Sequence, residues 1–133
     1  MHNPENAFHL AIPSHNLDAA HDFYVNLLGC GMGRRYDDHL TLNFFGAQLV
    51  CHLAPERIDP DPQMYPRHFG LTLRQREDFD AMLERARASG ASFYREPFIR
   101  FEGRPEEHWT FFLQDPSNNL VEFKFYLDSK MMH

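Results

Sequence analysis

Short stretches of alternating apolar and polar residues run along this chain in two similar series. Over residues 8–12, Phe8, Leu10 and Ile12 share one face of an extended segment while His9 and Ala11 share the other, which predicts a strand covered on one side. Asn16 stands where a helix cap belongs. Leu17, Ala20, Tyr24 and Leu27 or Leu28 then recur at helical spacing as far as Gly29, predicting a helix over 17–28. Three strand-like stretches follow at 33–36, 39–45 and 47–53, with Gly46 separating the last two. Residues 54–67 contain Pro55, Pro60, Pro62 and Pro66, which predicts an irregular connector.

The pattern then starts again. Phe69, Leu71 and Leu73 alternate with His68 and Thr72, and Phe79, Met82, Leu83 and Ala86 form an apolar stripe over 77–89. Glu77 and Asp78 open that helix, Arg85 and Arg87 close it and Gly90 ends it, in agreement with the helix dipole. Further strands are expected at 92–96, 108–114 and 120–126, the last two joined by the DPSNN turn at 115–119. The order is β-α-β-β-β, connector, β-α-β-β-β, with one module over about 8–53 and the other over about 68–126. Their punctuation agrees: 20 positions separate His9 from Gly29, and 22 separate His68 from Gly90. Neither half can bury both faces of a sheet alone, so all 133 residues are expected to form a single α+β domain.

Composition narrows the functions open to such a chain. A net charge of −6 with no basic run argues against nucleic acid or an anionic membrane as partner. No apolar stretch is long enough for a membrane span, and MHNPENAFHL does not read as a signal peptide. The two cysteines, Cys30 and Cys51, read as reduced core thiols of a cytoplasmic protein.

Nine histidines shift attention to chemistry. If helices cover the faces bearing Phe8/Leu10/Ile12, Leu49/Cys51/Leu53, Phe69/Leu71/Leu73 and Val121/Phe123/Phe125, the opposite faces carry His9, Gln48 with His52, His68 with Thr72, and Glu122 with Lys124. Should the two sheets curl toward each other, these polar groups line one cleft. Two imidazoles and a carboxylate form a facial triad suited to Fe(II), Zn(II), Ni(II) or Mn(II) with positions left open. The candidate ligands lie 59 and 54 positions apart, so no local spacing motif supports them. A salt bridge between Glu122 and Lys124 is the structural alternative.

The order of elements, with the histidine of FHLAI, the histidine of RHFGLTL and the glutamate of DPSNNLVEFK, resembles the vicinal oxygen chelate superfamily of glyoxalases, bleomycin-resistance proteins and extradiol dioxygenases. The resemblance spans about 8–126, and Asn118 stands where the closing motif usually has glycine. It implies paired βαβββ modules forming a U-shaped cleft around one divalent metal ion (Fe2+, Zn2+, Ni2+ or Mn2+), with His9, His68 and Glu122 in three of the four ligand places. It also implies a small substrate that chelates the metal through vicinal oxygens, dioxygenase-like or glyoxalase-like lyase/isomerase chemistry, and a homodimer. The alternative is a metal-free protein that sequesters a small molecule such as an antibiotic.

The fourth place departs from the glyoxalase pattern. Aligning the turn at Gly46-Ala47 with Asn118-Asn119 sets Val50 opposite Glu122 and His52 opposite Lys124. His52 is then a catalytic acid/base candidate or a further ligand. Gln48, Thr72 and Tyr94 are candidate substrate-binding groups. Arg95, Arg100 and Arg104 cluster with Glu106, Glu107 and His108 around an expected loop, which reads either as a solvated hairpin or as a lid whose arginine, Arg100 among them, meets an anionic substrate.

Overall fold

The computed structural model describes residues 2–133. Each series becomes one four-stranded mixed sheet. The first comprises β1 (His9–Ser14), β2 (Gly31–Arg35), β3 (His39–Phe44) and β4 (Ala47–Leu53) in the order β1-β4-β3-β2. The second comprises β5 (Phe69–Leu73), β6 (Phe93–Arg100), β7 (His108–Gln114) and β8 (Leu120–Tyr126) in the order β5-β8-β7-β6. In both, the opening strand runs parallel to the closing one and the other pairs are antiparallel. A helical crossover followed by hairpins produces this arrangement. The chain is therefore built of paired βαβββ modules. It divides into two compact units, Met1–Pro60 with Pro116–Asn119, and Asp61–Asp115 with Leu120–His133.

In the first unit, α1 (Leu17–His21) starts as expected, the Asn16 side chain accepting from the Ala19 N–H at 3.0 Å. The single helix expected as far as Leu28 instead widens into a π-helical stretch, Asp22–Leu27, with the Leu28 N–H donating to the Phe23 carbonyl. The wider winding lets two consecutive aromatics, Phe23 and Tyr24, both be buried, their rings edge to face at 4.8 Å. Gly29, with a φ of 83°, ends the segment. The helix packs on β3 and β4, where Leu40, Leu42, Phe44, Leu49 and Cys51 are buried. Phe8 and Leu53 do not join them: β1 begins at His9, Phe8 is 70% exposed and Leu53 44%. Both stand at strand ends, beyond the strip that the helix covers. Cys30 and Cys51 are both buried.

In the second unit, α2 (Arg76–Ala88) lies on β5 and β8, with Phe79 against Phe111 at 5.3 Å and Phe111 stacked on Phe123 at 5.5 Å. His68 immediately precedes β5 and is not its first residue. The largest departure from expectation is β6, which reaches Arg100 and does not stop at Glu96. Pro97 falls inside β6, which is an edge strand, where proline costs no ladder bond on the open side. Arg95 and Arg100 thus belong to a strand, not to a loop. The connection between β6 and β7 contains only Arg104, Glu106 and Glu107 of that group, and Phe101 and Gly103 take φ values of 54° and 81° there.

The turn at 116–119 clusters with the first unit. Asn119 donates to the Pro13 carbonyl at 3.0 Å, Asn118 to the Asp59 carbonyl at 2.9 Å, and the His15 N–H to the Ser117 hydroxyl at 2.9 Å. Asn118 has a φ of 62°, a left-handed conformation that asparagine tolerates, so it can stand where the related motif has glycine.

Candidate metal and substrate site

The face of the second sheet turned away from α2 concentrates the chemistry. Cross-strand partners share a face, so its rows read Gly70, Glu122, Phe112 and Arg95, then Thr72, Lys124, Thr110 and Phe98, then Tyr126, His108 and Arg100. Glu122 is buried. Its Oε2 accepts from the Thr110 hydroxyl at 2.8 Å, and its Oε1 lies 3.4 Å from His68 Nε2 and 3.7 Å from Lys124 Nζ. The ion pair with Lys124 is therefore present.

His68 is held at its other nitrogen. Nδ1 lies 2.6 Å from the Met64 carbonyl, which can only accept, so Nδ1 carries a hydrogen and donates it. A neutral His68 ring then points the Nε2 lone pair at a carboxylate oxygen 3.4 Å away, and two lone pairs face each other. A cation between them removes the conflict, either a proton on the imidazole or a metal ion. The separation exceeds that of a strong charge-assisted hydrogen bond and is close to the span between two ligands on one metal. An imidazole oriented by a carbonyl at its far nitrogen is also the usual setting of a metal-bound histidine.

The electrostatics follow this geometry. The hydrogen bond to Glu122 raises the His68 pKa above 6.5, over the opposing effect of burial and with help from the Met64 carbonyl. Burial pushes Glu122 up, but His68, Thr110 and the Lys124 charge together hold it below 4.5. His68 and Glu122 thus fit as two ligands of a shared cation. Among the described residues, no group of three or more His, Cys, Asp or Glu side chains comes together as a cage.

The first sheet has an equivalent face, turned away from its helix, with different content. His9, exposed, pairs with Gln48, which pairs with Asn43. Ala11 pairs with Val50, which pairs with Thr41. Pro13 pairs with His52, which pairs with His39. Val50 is thus the register equivalent of Glu122, and His52 of Lys124. His52 lies four strand positions from Gln48, so roughly 13 Å separates its row from that of His9. Its ring is stacked 5.6 Å from that of His39.

The remaining sequence candidates belong to the second unit. Thr72 pairs with Lys124, and Tyr94 sits in the bulge between Phe93 and Arg95. The Arg100 guanidinium lies over both the Tyr65 ring, at 5.2 Å, and the Phe101 ring, at 5.1 Å, and Tyr65 itself lies 5.8 Å from His68.

Sequence reasoning missed Thr110, the Met64 carbonyl and the pairing of His39 with His52. The last was within reach. Phe45 and Gly46 have φ values of 50° and 100° and form a two-residue turn between the paired Phe44 and Ala47. Counting back from such a turn sets His39 opposite His52. Nothing local marks the Met64 carbonyl, because its role depends on how the connector folds.

The family described as the Glyoxalase/Bleomycin resistance protein/Dioxygenase superfamily matches residues 7–123. No curated protein sequence matches the chain. Among solved structures, a glyoxalase/bleomycin resistance protein/dioxygenase from Alicyclobacillus acidocaldarius is 56% identical, covers 100% of both chains and superposes with a TM-score of 0.95. Two further structures share the fold. One is a lactoylglutathione lyase from Agrobacterium tumefaciens, 18% identical over 90% of this chain and 92% of its own, with a TM-score of 0.68. The other is the fosfomycin resistance protein FosX from Listeria monocytogenes, 15% identical over 96% and 98%, with a TM-score of 0.74.

Proposed function

Because the chain belongs to the Glyoxalase/Bleomycin resistance protein/Dioxygenase superfamily, we propose that it is an enzyme using one divalent metal ion to act on a small substrate that chelates through vicinal oxygens. The reaction is extradiol-dioxygenase-like or a glyoxalase-like lyase or isomerase reaction. One observation carries this reading: His68 Nε2, with its other nitrogen committed to a carbonyl, faces a buried carboxylate across 3.4 Å. His68, Glu122 and, from the first unit, His9 would hold the ion, which is Fe2+, Zn2+, Ni2+ or Mn2+ by donor type. When bound, it supplies Lewis-acid polarisation of the substrate oxygens and, if iron, redox chemistry with dioxygen.

The chain's own residues supply the rest. Thr110 fixes Glu122, and the Met64 carbonyl fixes the His68 tautomer. Arg100, steadied by two aromatic rings, meets an anionic part of the substrate, and Gln48, Thr72 and Tyr94 offer it hydrogen bonds. His52, four strand positions from Gln48, carries a proton to or from a part of the substrate remote from the metal. The reading includes a homodimer, common in the superfamily, and a cytoplasmic setting, with Cys30 and Cys51 as reduced core thiols. Among the described residues no helix is long and apolar enough to cross a membrane.

Lys124 favours a second reading, a metal-free protein that binds a small molecule. Its ammonium, 3.7 Å from the Glu122 oxygen, is a built-in cation. Lys124→Met separates the two. In the enzyme reading, tag-free protein purified without chelator carries about one divalent ion per chain, and Lys124→Met binds that ion more tightly because a competing charge is gone. In the binder reading, the protein is metal-free and Lys124→Met lowers its stability. Oxygen uptake with a catechol distinguishes dioxygenase from lyase or isomerase chemistry.

A further inference from the structure

The first unit contains a second set of metal-ligating side chains that shares no residue with the His68–Glu122 pair. His39 on β3 and His52 on β4 are direct cross-strand partners. The adjoining backbone bond runs from the Leu53 N–H to the Asp38 carbonyl at 2.8 Å, so His39 and His52 form the closer, non-hydrogen-bonded kind of pair. In such a pair the Cβ atoms approach within about 4.5–5.5 Å, and both side chains leave the sheet on the same face. The two rings lie 5.6 Å apart and 26° from parallel.

Two neighbours orient His39. Asp38 Oδ1 lies 2.7 Å from Nδ1, and an ionised carboxylate only accepts, so Nδ1 is the donor and the lone pair of the neutral ring is on Nε2. Tyr36 stacks on the ring at 4.3 Å, 17° from parallel. A carboxylate at one imidazole nitrogen with the other nitrogen free is the arrangement that raises ligand basicity in carboxylate–histidine–metal sites. The His52 ring is exposed and stacks on the His39 ring. Two imidazole nitrogens on one cation sit roughly 3 Å apart, within reach of such a pair.

We propose that His39 and His52, with Asp38 orienting His39, form a second metal site that takes a borderline, imidazole-preferring divalent ion of the zinc, nickel or copper class. Water completes the coordination, so the site is weaker than a full protein cage and discriminates against magnesium and calcium. A lone pair given to a metal is not available to a proton, so excess zinc or copper would suppress the proton transfer assigned above to His52.

Calorimetric titration of chelator-stripped, tag-free full-length protein with zinc chloride tests the proposal. Wild type shows a weaker site that His39→Gln and His52→Gln each abolish and that Asp38→Asn weakens about tenfold. Glu122→Gln leaves that site in place. Both imidazoles lie at the surface end of their strands, and thermal unfolding establishes that the variants are folded. As a second measurement, substoichiometric Cu2+ broadens the ring-proton NMR signals of His39 and His52. Zinc isotherms unchanged in both histidine variants would overturn the pair and leave the His68–Glu122 reading intact. Loss of a site with His52→Gln, beside an isotherm unaffected by Glu122→Gln, supports the pair and counts against the other site.

Discussion

Two residues beyond the histidine that opens each module, the first sheet pairs Ala11 with Val50 and the second pairs Gly70 with Glu122. The backbone frames are equivalent and their chemistry is not. In the second sheet a buried carboxylate sits in that row, supported by Thr110, His68 and Lys124. In the first, the row is neutral, and the polar group moves one row further, to His52, His39 and Asp38. Repetition of a fold thus provides matched positions, and a position can hold a buried charge only where neighbours offset the cost of burying it. The glycine belongs to the same difference. A Cβ on Gly70 would lie 1.8 Å from the Glu122 carbonyl oxygen, whereas Ala11 carries its Cβ in the equivalent place.

The comparison is most easily broken at that glycine. Gly70→Ala forces a side chain into the β8 backbone, which cannot yield as a flexible side chain would, so about 3 kcal/mol of stability should be lost in urea unfolding. The mirror change Ala11→Gly should cost only about 0.5–1 kcal/mol. Equal losses would mean that the two rows are not packed as described. A smaller effect is expected at the carboxylate's support. Thr110→Val removes a hydrogen bond to a charged, buried group and should cost about 2 kcal/mol in metal-free protein at neutral pH. Thr41→Val in the first sheet, where the hydroxyl accepts from the Arg34 N–H, should cost about 1 kcal/mol.

The smallest effect is pH dependence. Folded His68 holds its proton more tightly than a free imidazole, so its contribution is complete below pH 6.5 and fades as pH rises through the folded value. Folded Glu122 holds its proton less tightly than a free carboxyl, so its contribution is complete above pH 4.5 and fades as pH falls. The stability difference between metal-free wild type and Glu122→Gln should therefore be largest between pH 4.5 and 6.5. A difference that keeps growing above pH 7 would contradict the pairing of these two groups.

Much of the frame was legible in the chain because period and punctuation are local. Asn16, Gly29 and Gly90 mark helix ends where the structure has them, and the alternation in β8 places Val121 and Phe123 in the core and Glu122 opposite. Elements failed where tertiary context overrides a local rule. Pro97 lies inside a strand, which an edge position tolerates, and the segment over 17–28 widens into a π-helical stretch in which Phe23 and Tyr24 are both buried. Of the candidate site, strand faces and family resemblance single out His9, His68 and Glu122, and the structure sets His68 beside Glu122. Partners were not legible: the hold of Met64 on His68 and of Thr110 on Glu122 depends on a connector path and a strand register that no short motif encodes.

The central proposal is that His68 and Glu122, together with His9, would hold one divalent ion, and elemental analysis of tag-free protein purified without chelator tests it most directly. Wild type should carry about one ion per chain, with His68→Ala and Glu122→Gln nearly empty and His9→Ala strongly depleted, while each remains folded. Full metal retention in His68→Ala and Glu122→Gln would contradict the account.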